Sequence, residues 1–330
     1  MQYAKRLVIL EFAPREGGIS TGFSTDHVEN SKGPVSANPG GRRSLDELTL
    51  WRSAALEKMV TRIPKIAASS YLNTAPLCYS FVGGSQRGSS EFFSDTSPAV
   101  CAELLTRKEC DAAMIPVIEY QRMSGIRISP GTCVASTNKV RSVLLVSKKP
   151  IEGIKSVALD TTSRTSAVLV KILLEKFHGL EPAYRAAAPQ LGEMLESSDA
   201  ALIIGDPAMV IDSSGLNVYD LAEEWRANTG LPFVFAFWAV RLESEGFFHG
   251  SQRQVDFNAA LEEGLANVDA IAAEYSRALS LSVSDLIQYL TVNISFRLDD
   301  AAIRGLEHYY ALAHECGLIP EPRPVEFCAE

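Results

Sequence analysis

Residues 156–177 read SVALDTTSRTSAVLVKILLEKF, a pattern that predicts a strand, a polar turn and an amphipathic helix in succession. The strand covers residues 156–159, and the helix covers residues 166–177, with apolar residues at positions 168, 169, 172, 173 and 177. Strands and helices alternate in this way from Arg62 onward. Because helices that alternate with strands pack on the faces of parallel sheets, the pattern predicts an α/β fold with ligands at the carboxyl ends of strands.

Two long β-rich runs, near residues 142 and 236, flank this central region. They predict two lobes joined by two crossovers. Lobe 1 would contain residues 62–142 and 238–330, and lobe 2, residues 143–237, would be inserted into it. The cleft between such lobes is a natural site for a small molecule. We expect the compact protein to begin near Met59. Residues 1–61 are predicted to form a disordered extension, since residues 17–43 are rich in Gly, Ser, Asn and Pro; the alternative is that translation starts near Met59.

The charge balance limits the classes of partner. Among 330 residues, 31 Lys and Arg stand against 40 Asp and Glu, a net charge of −9. A net negative charge disfavours nucleic acid and anionic membranes, which are both polyanions. The apolar run from Leu7 to Leu10 ends at Glu11, well below the ~7–15 residues of an export signal. We therefore expect a small-molecule substrate, with no nucleic-acid or membrane partner.

The cysteine and histidine spacings argue against a metal or cofactor. The six cysteines contain no C-x-x-C pair, and the five histidines contain no H-E-x-x-H motif. No P-loop or G-x-G-x-x-G motif is present to hold the phosphates of a nucleotide. Unpaired cysteines are typical of a reducing compartment, so the sequence predicts a cytoplasmic protein without metal or cofactor.

The polar turn of residues 160–166 is the sharpest candidate for a binding site. Hydroxyl groups at a helix start satisfy free N–H groups, and these N–H groups with the helix dipole favour an anion. An arginine adds a fork that can bind a carboxylate through two hydrogen bonds. The alternative is an ordinary helix cap with a solvent-facing arginine. We predict substrate-binding roles for the polar residues of the turn: Thr162, Ser163, Arg164, Thr165 and Ser166.

Other strand ends carry further polar candidates, each with an alternative. Ser70 and Asn73 lie in a second strand-to-helix turn, where the Asn73 amide either points into the cleft or caps the helix. Ser142 begins a crossover and could face the ligand. Asp206 either contacts the substrate or holds a backbone turn. Glu119 is either a base or a solvent-facing helix carboxylate, and the second is the commoner outcome.

Six blocks of this sequence resemble chorismate dehydratases, the family that begins the futalosine route to menaquinone. The resemblance covers about residues 62–325 and keeps the family's order and spacing. The blocks are SYLNTAPL at 70–77, IPVIEY at 115–120, VRSVLLVS at 140–147, VALDTTSRTS at 157–166, AALIIGDPA at 200–208 and TGLPFVFAFW at 229–238.

The resemblance implies a two-lobed fold like type II periplasmic solute-binding proteins, with the ligand cleft between the lobes. It also implies a hydro-lyase reaction in which chorismate loses water to give 3-[(1-carboxyvinyl)oxy]benzoate. Asn73 and Ser142 would then be catalytic, orienting the substrate and bonding its reacting groups. With no positioned base evident, the enolpyruvyl carboxylate of the substrate would take the ring proton.

Two other functions stay open at this point. The related 1,4-dihydroxy-6-naphthoate synthase shares the fold and the pathway, but the residue 70–74 and 162–166 blocks resemble the dehydratase more closely. A plain solute-binding protein shares the fold, but it needs export or a lipid anchor, for which the sequence gives no signal.

Overall fold

The computed structural model describes residues 62–329. The extension predicted over residues 1–61 lies outside these residues. The described chain contains two sheets, and it passes from one to the other twice, between residues 136 and 143 and between residues 220 and 233.

The larger sheet has six strands in the order β11-β4-β10-β3-β1-β2. Strand β1 is parallel to β2 and β3, whereas β10 is antiparallel to β3 and β4, and β11 is antiparallel to β4. The strands are β1 (Lys65–Ser69), β2 (Glu91–Thr96), β3 (Ala112–Pro116), β4 (Ile126–Ser136), β10 (Phe233–Arg241) and β11 (Ser295–Leu298).

The smaller sheet has five strands in the order β7-β6-β8-β5-β9. Strand β6 is parallel to β7 and β8, and β5 is antiparallel to β8 and β9. The strands are β5 (Val143–Ser147), β6 (Ser156–Asp160), β7 (Ala183–Ala187), β8 (Ala200–Ile204) and β9 (Asn217–Asp220).

The expectation of parallel sheets is therefore wrong for part of each sheet. Strands β5 and β10 are the two that enter a sheet from the other lobe, and both are antiparallel to their neighbours. Parallel pairing needs a long crossover connection back to the same edge, which these entering strands do not have. The boundary predicted at residues 237–238 falls inside β10, and the division into lobes at those positions stays a prediction.

Eleven α-helices cover the sheets of residues 62–329. They are α1 (Ala75–Val82), α2 (Pro98–Thr106), α3 (Val117–Tyr120), α4 (Thr165–Ile172), α5 (Leu191–Glu196), α6 (Asp206–Met209), α7 (Leu221–Thr229), α8 (Phe257–Ala266), α9 (Val268–Leu279), α10 (Val283–Gln288) and α11 (Asp300–Glu315). Short 3₁₀ turns lie at Leu72–Thr74, Ile151–Gly153 and Leu242–Phe247, and wider π turns extend α4 over Leu173–Phe177 and α10 over Tyr289–Asn293.

Local sequence explains where the helices at the strand ends begin. The Ser97 hydroxyl accepts a hydrogen bond from the Val100 N–H and so caps α2, which has Pro98 in its first turn. Helix α1 likewise carries Pro76 in its first turn. Both helices therefore begin within a few residues of a strand end and leave the connecting turn at the edge of the sheet.

Each sheet has its own buried core. In the larger lobe, Phe257 stacks on Trp238 at 4.2 Å and on Phe248 at 5.3 Å between ring centroids. In the smaller lobe, Leu144, Val146 and Ile203 pack with Met194 of α5. No helix among the described residues is long and apolar enough to cross a membrane.

Candidate active site

A cleft of about 550 Å³, partly open to solvent, is lined by residues from both sheets. Strands β1, β3, β6 and β8 all direct their carboxyl ends to it, as the α/β pattern predicts. Its apolar lining comes from Met114, Val134, Val143, Ile204 and Phe235.

The Asn73 turn, residues 69–74, connects β1 to α1 along one wall of the cleft. The Thr74 hydroxyl donates to the Ser69 carbonyl at 2.5 Å, and the Leu72 N–H donates to Asp206 Oδ1 at 2.9 Å. These bonds hold the 3₁₀ turn that carries Asn73. The Asn73 side chain lines the cleft, and its amide makes no hydrogen bond within residues 62–329. The amide is therefore directed into the cleft rather than used as a helix cap.

The Arg164 turn, residues 160–166, connects β6 to α4 on the smaller-lobe side. The Thr162 N–H and hydroxyl both donate to Asp160 Oδ1 at 2.8 Å, which folds the turn back on the end of β6. Burial raises the pKa of Asp160, and its bonds from Thr162 oppose that rise. All five predicted residues from Thr162 to Ser166 line the cleft.

Within that turn, the hydroxyls differ in their use. Thr165 Oγ1 accepts a hydrogen bond from the Ile118 N–H of α3, and the Thr165 carbonyl accepts one from the Tyr309 hydroxyl. The Ser163 and Ser166 hydroxyls have no such partner among the described residues. They lie at the start of α4, where backbone N–H groups have no partner inside the helix. This edge of the cleft is suited to an anion.

Arg164 contacts two carboxylates of the larger lobe. Its Nη2 lies 2.7 Å from Glu103 Oε1, and its Nη1 lies 3.0 Å from Glu119 Oε2. Glu119 also pairs with Arg122 at 2.7 Å, and its side chain is 5% exposed. The expectation of a solvent-facing Glu119 is therefore wrong, because two guanidinium groups stabilise its buried carboxylate. Arg164 lines the cleft and at the same time joins the two lobes.

Ser142 is fully buried and does not line the cleft, whereas the next residue, Val143, does. The Tyr289 hydroxyl donates to Ser142 Oγ at 2.8 Å, and the Gly205 N–H donates to the Ser142 carbonyl at 2.8 Å. Ser70 is also absent from the cleft lining, and its carbonyl accepts a bond from the Tyr275 hydroxyl at 2.8 Å.

Asp206 follows β8 at the start of α6 and is 4% exposed. Burial raises the pKa of its carboxyl to about 7, although the bond from the Leu72 N–H opposes the rise. Its Oδ2 is buried without a hydrogen-bond partner among the described residues. The adjacent Gly205 lines the cleft, whereas Asp206 does not.

Sequence reasoning missed three side chains that shape the site. Tyr71 lies in a recognised block and lines the cleft, but no spacing rule assigns it a role. Glu103 and Tyr289 come from helices far away in sequence, and only the fold brings them to Arg164 and Ser142. Among the described residues, no group of three or more His, Cys, Asp and Glu side chains could hold a metal ion.

Comparisons with known proteins identify both the family and the fold. A family model described as menaquinone biosynthesis matches residues 64–315. The chorismate dehydratase of Thermus thermophilus is 30% identical over 239 residues, which cover 67% of this chain and 85% of that protein.

Solved structures show the fold alone. The crystal structure of an Archaeoglobus fulgidus protein superimposes with a TM-score of 0.61 at 19% identity, covering 78% of this chain and 98% of the other. A Candida albicans protein described as having the generic periplasmic binding protein fold superimposes with a TM-score of 0.53 at 13% identity, covering 82% and 98%. The two-lobed fold predicted from the sequence is confirmed.

Proposed function

Since the chain belongs to the menaquinone biosynthesis family and, within it, to the chorismate dehydratases, we propose that it removes water from chorismate to give 3-[(1-carboxyvinyl)oxy]benzoate. In this lyase reaction, a ring proton and the ring hydroxyl leave as water and the ring becomes aromatic. The futalosine route to menaquinone would use the product. A cytoplasmic location stays a prediction.

The observation that carries the proposal is the composition of the cleft lining. Its polar groups are hydroxyls, one amide and one guanidinium, and among the described lining residues only Tyr71 and Arg164 have ionisable side chains. Such a site can bind and orient a dianion, but its lining within residues 62–329 contains no carboxylate or imidazole that could take a proton. Because formation of an aromatic ring supplies much of the driving force, orientation can account for a large part of the rate.

One carboxylate of chorismate would bind at the start of α4. The Ser163 and Ser166 hydroxyls and the first N–H groups of α4 supply donors there. Arg164 can contribute as well, because its pair with Glu103 involves a side chain that is 43% exposed. Exposed ion pairs contribute only about 0–1 kcal/mol, so a substrate carboxylate can replace Glu103 at low cost. The ion pair between Glu119 and the Arg164 guanidinium would remain.

The Asn73 amide would orient the reacting part of the ring from the opposite side. It is free to both donate and accept, which suits a position between the leaving hydroxyl and the enolpyruvyl group. The enolpyruvyl carboxylate of the substrate would take the ring proton. Ser142 would add a further hydroxyl, although its Oγ lies against Tyr289.

The test is to incubate the purified chain with chorismate and follow the product by mass spectrometry and proton NMR. We expect a loss of 18 Da, new aromatic signals and retention of the two vinyl protons of the enolpyruvyl group. Chorismate also decomposes by itself, so a buffer control and the Asn73→Ala variant define the background. Tight binding without turnover would indicate a binding protein instead of an enzyme. Absence of binding would indicate that the larger substrate of the sister synthase should be tested next.

A further inference from the structure

The Gly205–Asp206 pair at the end of β8 contacts the segment that carries Asn73. Asp206 Oδ1 accepts a hydrogen bond from the Leu72 N–H at 2.9 Å, and the two residues are 134 positions apart. Leu72 is the first residue of the 3₁₀ turn that presents Asn73 to the cleft. The carboxyl group therefore fixes the position of this turn from the other lobe.

The same pair contacts the segment that carries Ser142. The Gly205 N–H donates to the Ser142 carbonyl at 2.8 Å. Gly205 has a φ of +68°, and a Cβ atom there would lie 2.9 Å from the Tyr71 ring. Only glycine allows so close an approach with this backbone. Residues 205–206 thus fix the position of the Asn73 turn relative to the start of β5.

The surroundings of the second carboxyl oxygen of Asp206 distinguish a structural role from contact with substrate. Oδ2 is buried without a partner among the described residues, and Asp206 does not line the cleft. The carboxyl acts electrostatically on Tyr71, Tyr275 and Tyr289. The phenols of Tyr275 and Tyr289 already donate to the Ser70 carbonyl and to Ser142 Oγ. A neutral acid or an amide fits these surroundings, because neither places a charge on the unpartnered atom.

We propose that Asp206 is a positioning residue, which holds Asn73 in its reactive position by accepting the Leu72 N–H and does not touch the substrate. This proposal rests on the proposed dehydratase function, and it replaces the substrate contact predicted from the sequence. It requires the acceptor atom at Oδ1 and does not require a charge.

Two variants of Asp206 separate the acceptor from the charge, and a third variant is the control. Asp206→Asn keeps an acceptor at the position of Oδ1, and Asp206→Ala removes it. We expect Asp206→Ala to lower kcat by about 100-fold with KM within about threefold, because a displacement near 1 Å in a catalytic group can cost that much. Asp206→Asn should keep kcat within about fivefold of the wild type, since it can still accept the Leu72 N–H. Asp111→Ala is the matched control.

Asp111 is suited to that control because it is also a buried aspartate that accepts a backbone N–H. Its Oδ2 accepts from Lys65 at 2.8 Å, at the opposite end of β1 from the cleft, and it is 2% exposed. Asp111→Ala also removes the acceptor of the Ser244 hydroxyl. It should lower the melting temperature but leave kcat within about threefold below that temperature, since the bonds to Lys65 and Ser244 are distant from Asn73. A control that lost kcat as severely as Asp206→Ala would show that the effect is one of general stability, and the proposal would fail.

A second readout does not depend on turnover. We expect the Leu72 amide to exchange its hydrogen at least about tenfold faster in Asp206→Ala than in the wild type, and at a near-normal rate in Asp206→Asn. If the wild type does not convert chorismate, the proposed function fails while the exchange rates still test the link between Asp206 and the turn.

Three outcomes would overturn the positioning role. One is an Asp206→Asn variant as inactive as Asp206→Ala with Leu72 still protected, which would indicate a proton-transfer role. Another is a rise in KM without loss of kcat, which would indicate contact with substrate. The third is an unchanged Leu72 exchange rate in Asp206→Ala. If Asp206→Ala does not fold, Asp206→Asn decides alone: normal kcat with a protected Leu72 amide supports the proposal, and lost kcat with that amide protected refutes it.

Discussion

The two polar turns that face each other across the cleft use their side chains in opposite ways. In the Asn73 turn, backbone and hydroxyl bonds hold the loop, and the Asn73 amide has no partner within residues 62–329. In the Arg164 turn, the guanidinium is bound to Glu103 and Glu119 of the larger lobe. One turn leaves its functional group free, whereas the other uses it to join the lobes.

This difference separates two requirements of the proposed reaction. A group that orients reacting atoms must be held rigidly but must keep its own hydrogen-bonding capacity for the substrate. A group that attracts an anion also has to be stable when the cleft is empty, and nearby carboxylates stabilise an arginine in that state. Mutations in the two turns should therefore affect different kinetic constants.

The largest effect is expected from Asn73→Ala. Loss of a donor or acceptor that bonds the reacting atoms typically lowers kcat by about 10²–10³-fold, and we expect a fall in that range. Because the amide makes no hydrogen bond within the described chain, the melting temperature should stay within about 2 °C of the wild type. Steady-state kinetics and thermal denaturation measure the two quantities. Near-normal kcat would show that Asn73 does not act on the reacting atoms, and a large loss of stability would show that its amide has a structural role instead.

Two smaller effects on KM, opposite in direction, are expected from variants of Arg164 and of its partner Glu103. Arg164→Gln removes a positive charge at the cleft and should raise KM for chorismate by about tenfold, with kcat changed less than about threefold. Glu103→Gln removes one of the two negative charges on that arginine and should lower KM by about threefold. If both variants raise KM, the ion pair serves only to join the lobes, and the contrast between the turns becomes stronger. Measurement at two salt concentrations checks that the changes are electrostatic, since salt weakens exposed charge effects.

Much of the fold could be predicted from local pattern. The strand at Ala200–Ile204 is where its buried apolar run places it, and the helix expected over residues 166–177 is present as α4 with its π extension. The antiparallel direction of β5 and β10 could not be predicted, because pairing direction depends on how the chain enters each sheet. Strand β4, Ile126–Ser136, carries Arg127, Ser129, Pro130 and Gly131 and gives no clear strand periodicity. Its pairing with β10 and β11 stabilises it in spite of that composition.

The site was predictable to the extent that its residues lie at strand ends. Residues 162–166 and Asn73 line one cleft because β1 and β6 both end there. The partners of those residues were not predictable. The bond from Leu72 to Asp206, and the pairs of Arg164 with Glu103 and Glu119, join positions 134, 61 and 45 residues apart. A single sequence contains no signal for such contacts, since they depend on the relative placement of the two lobes.

A loss of kcat smaller than that of Asn73→Ala is expected from Tyr289→Phe, which tests a case between the two turns. Ser142 Oγ accepts the Tyr289 hydroxyl, so one of its two lone pairs is used, while its own proton is not donated to another described residue. Tyr289→Phe removes the bond without changing the shape of the ring. We expect kcat to fall by about three- to tenfold with little change in KM, because one neutral hydrogen bond contributes about 1 kcal/mol. Steady-state kinetics of the variant, with thermal denaturation to confirm folding, measure this change.

The double variant Ser142→Ala/Tyr289→Phe shows whether the tyrosine acts through the serine. If it does, the second substitution adds nothing to the loss of kcat caused by Ser142→Ala alone, because the bonded partner is already gone. Ser142 would then resemble Asn73 rather than Arg164 in its role, because a hydrogen bond fixes its position and its own proton is still available to the substrate. If Tyr289→Phe costs the same factor in both backgrounds, the phenol acts independently of Ser142. In that case Ser142 is a buried residue that does not orient the substrate, and Asn73 alone orients the reacting atoms.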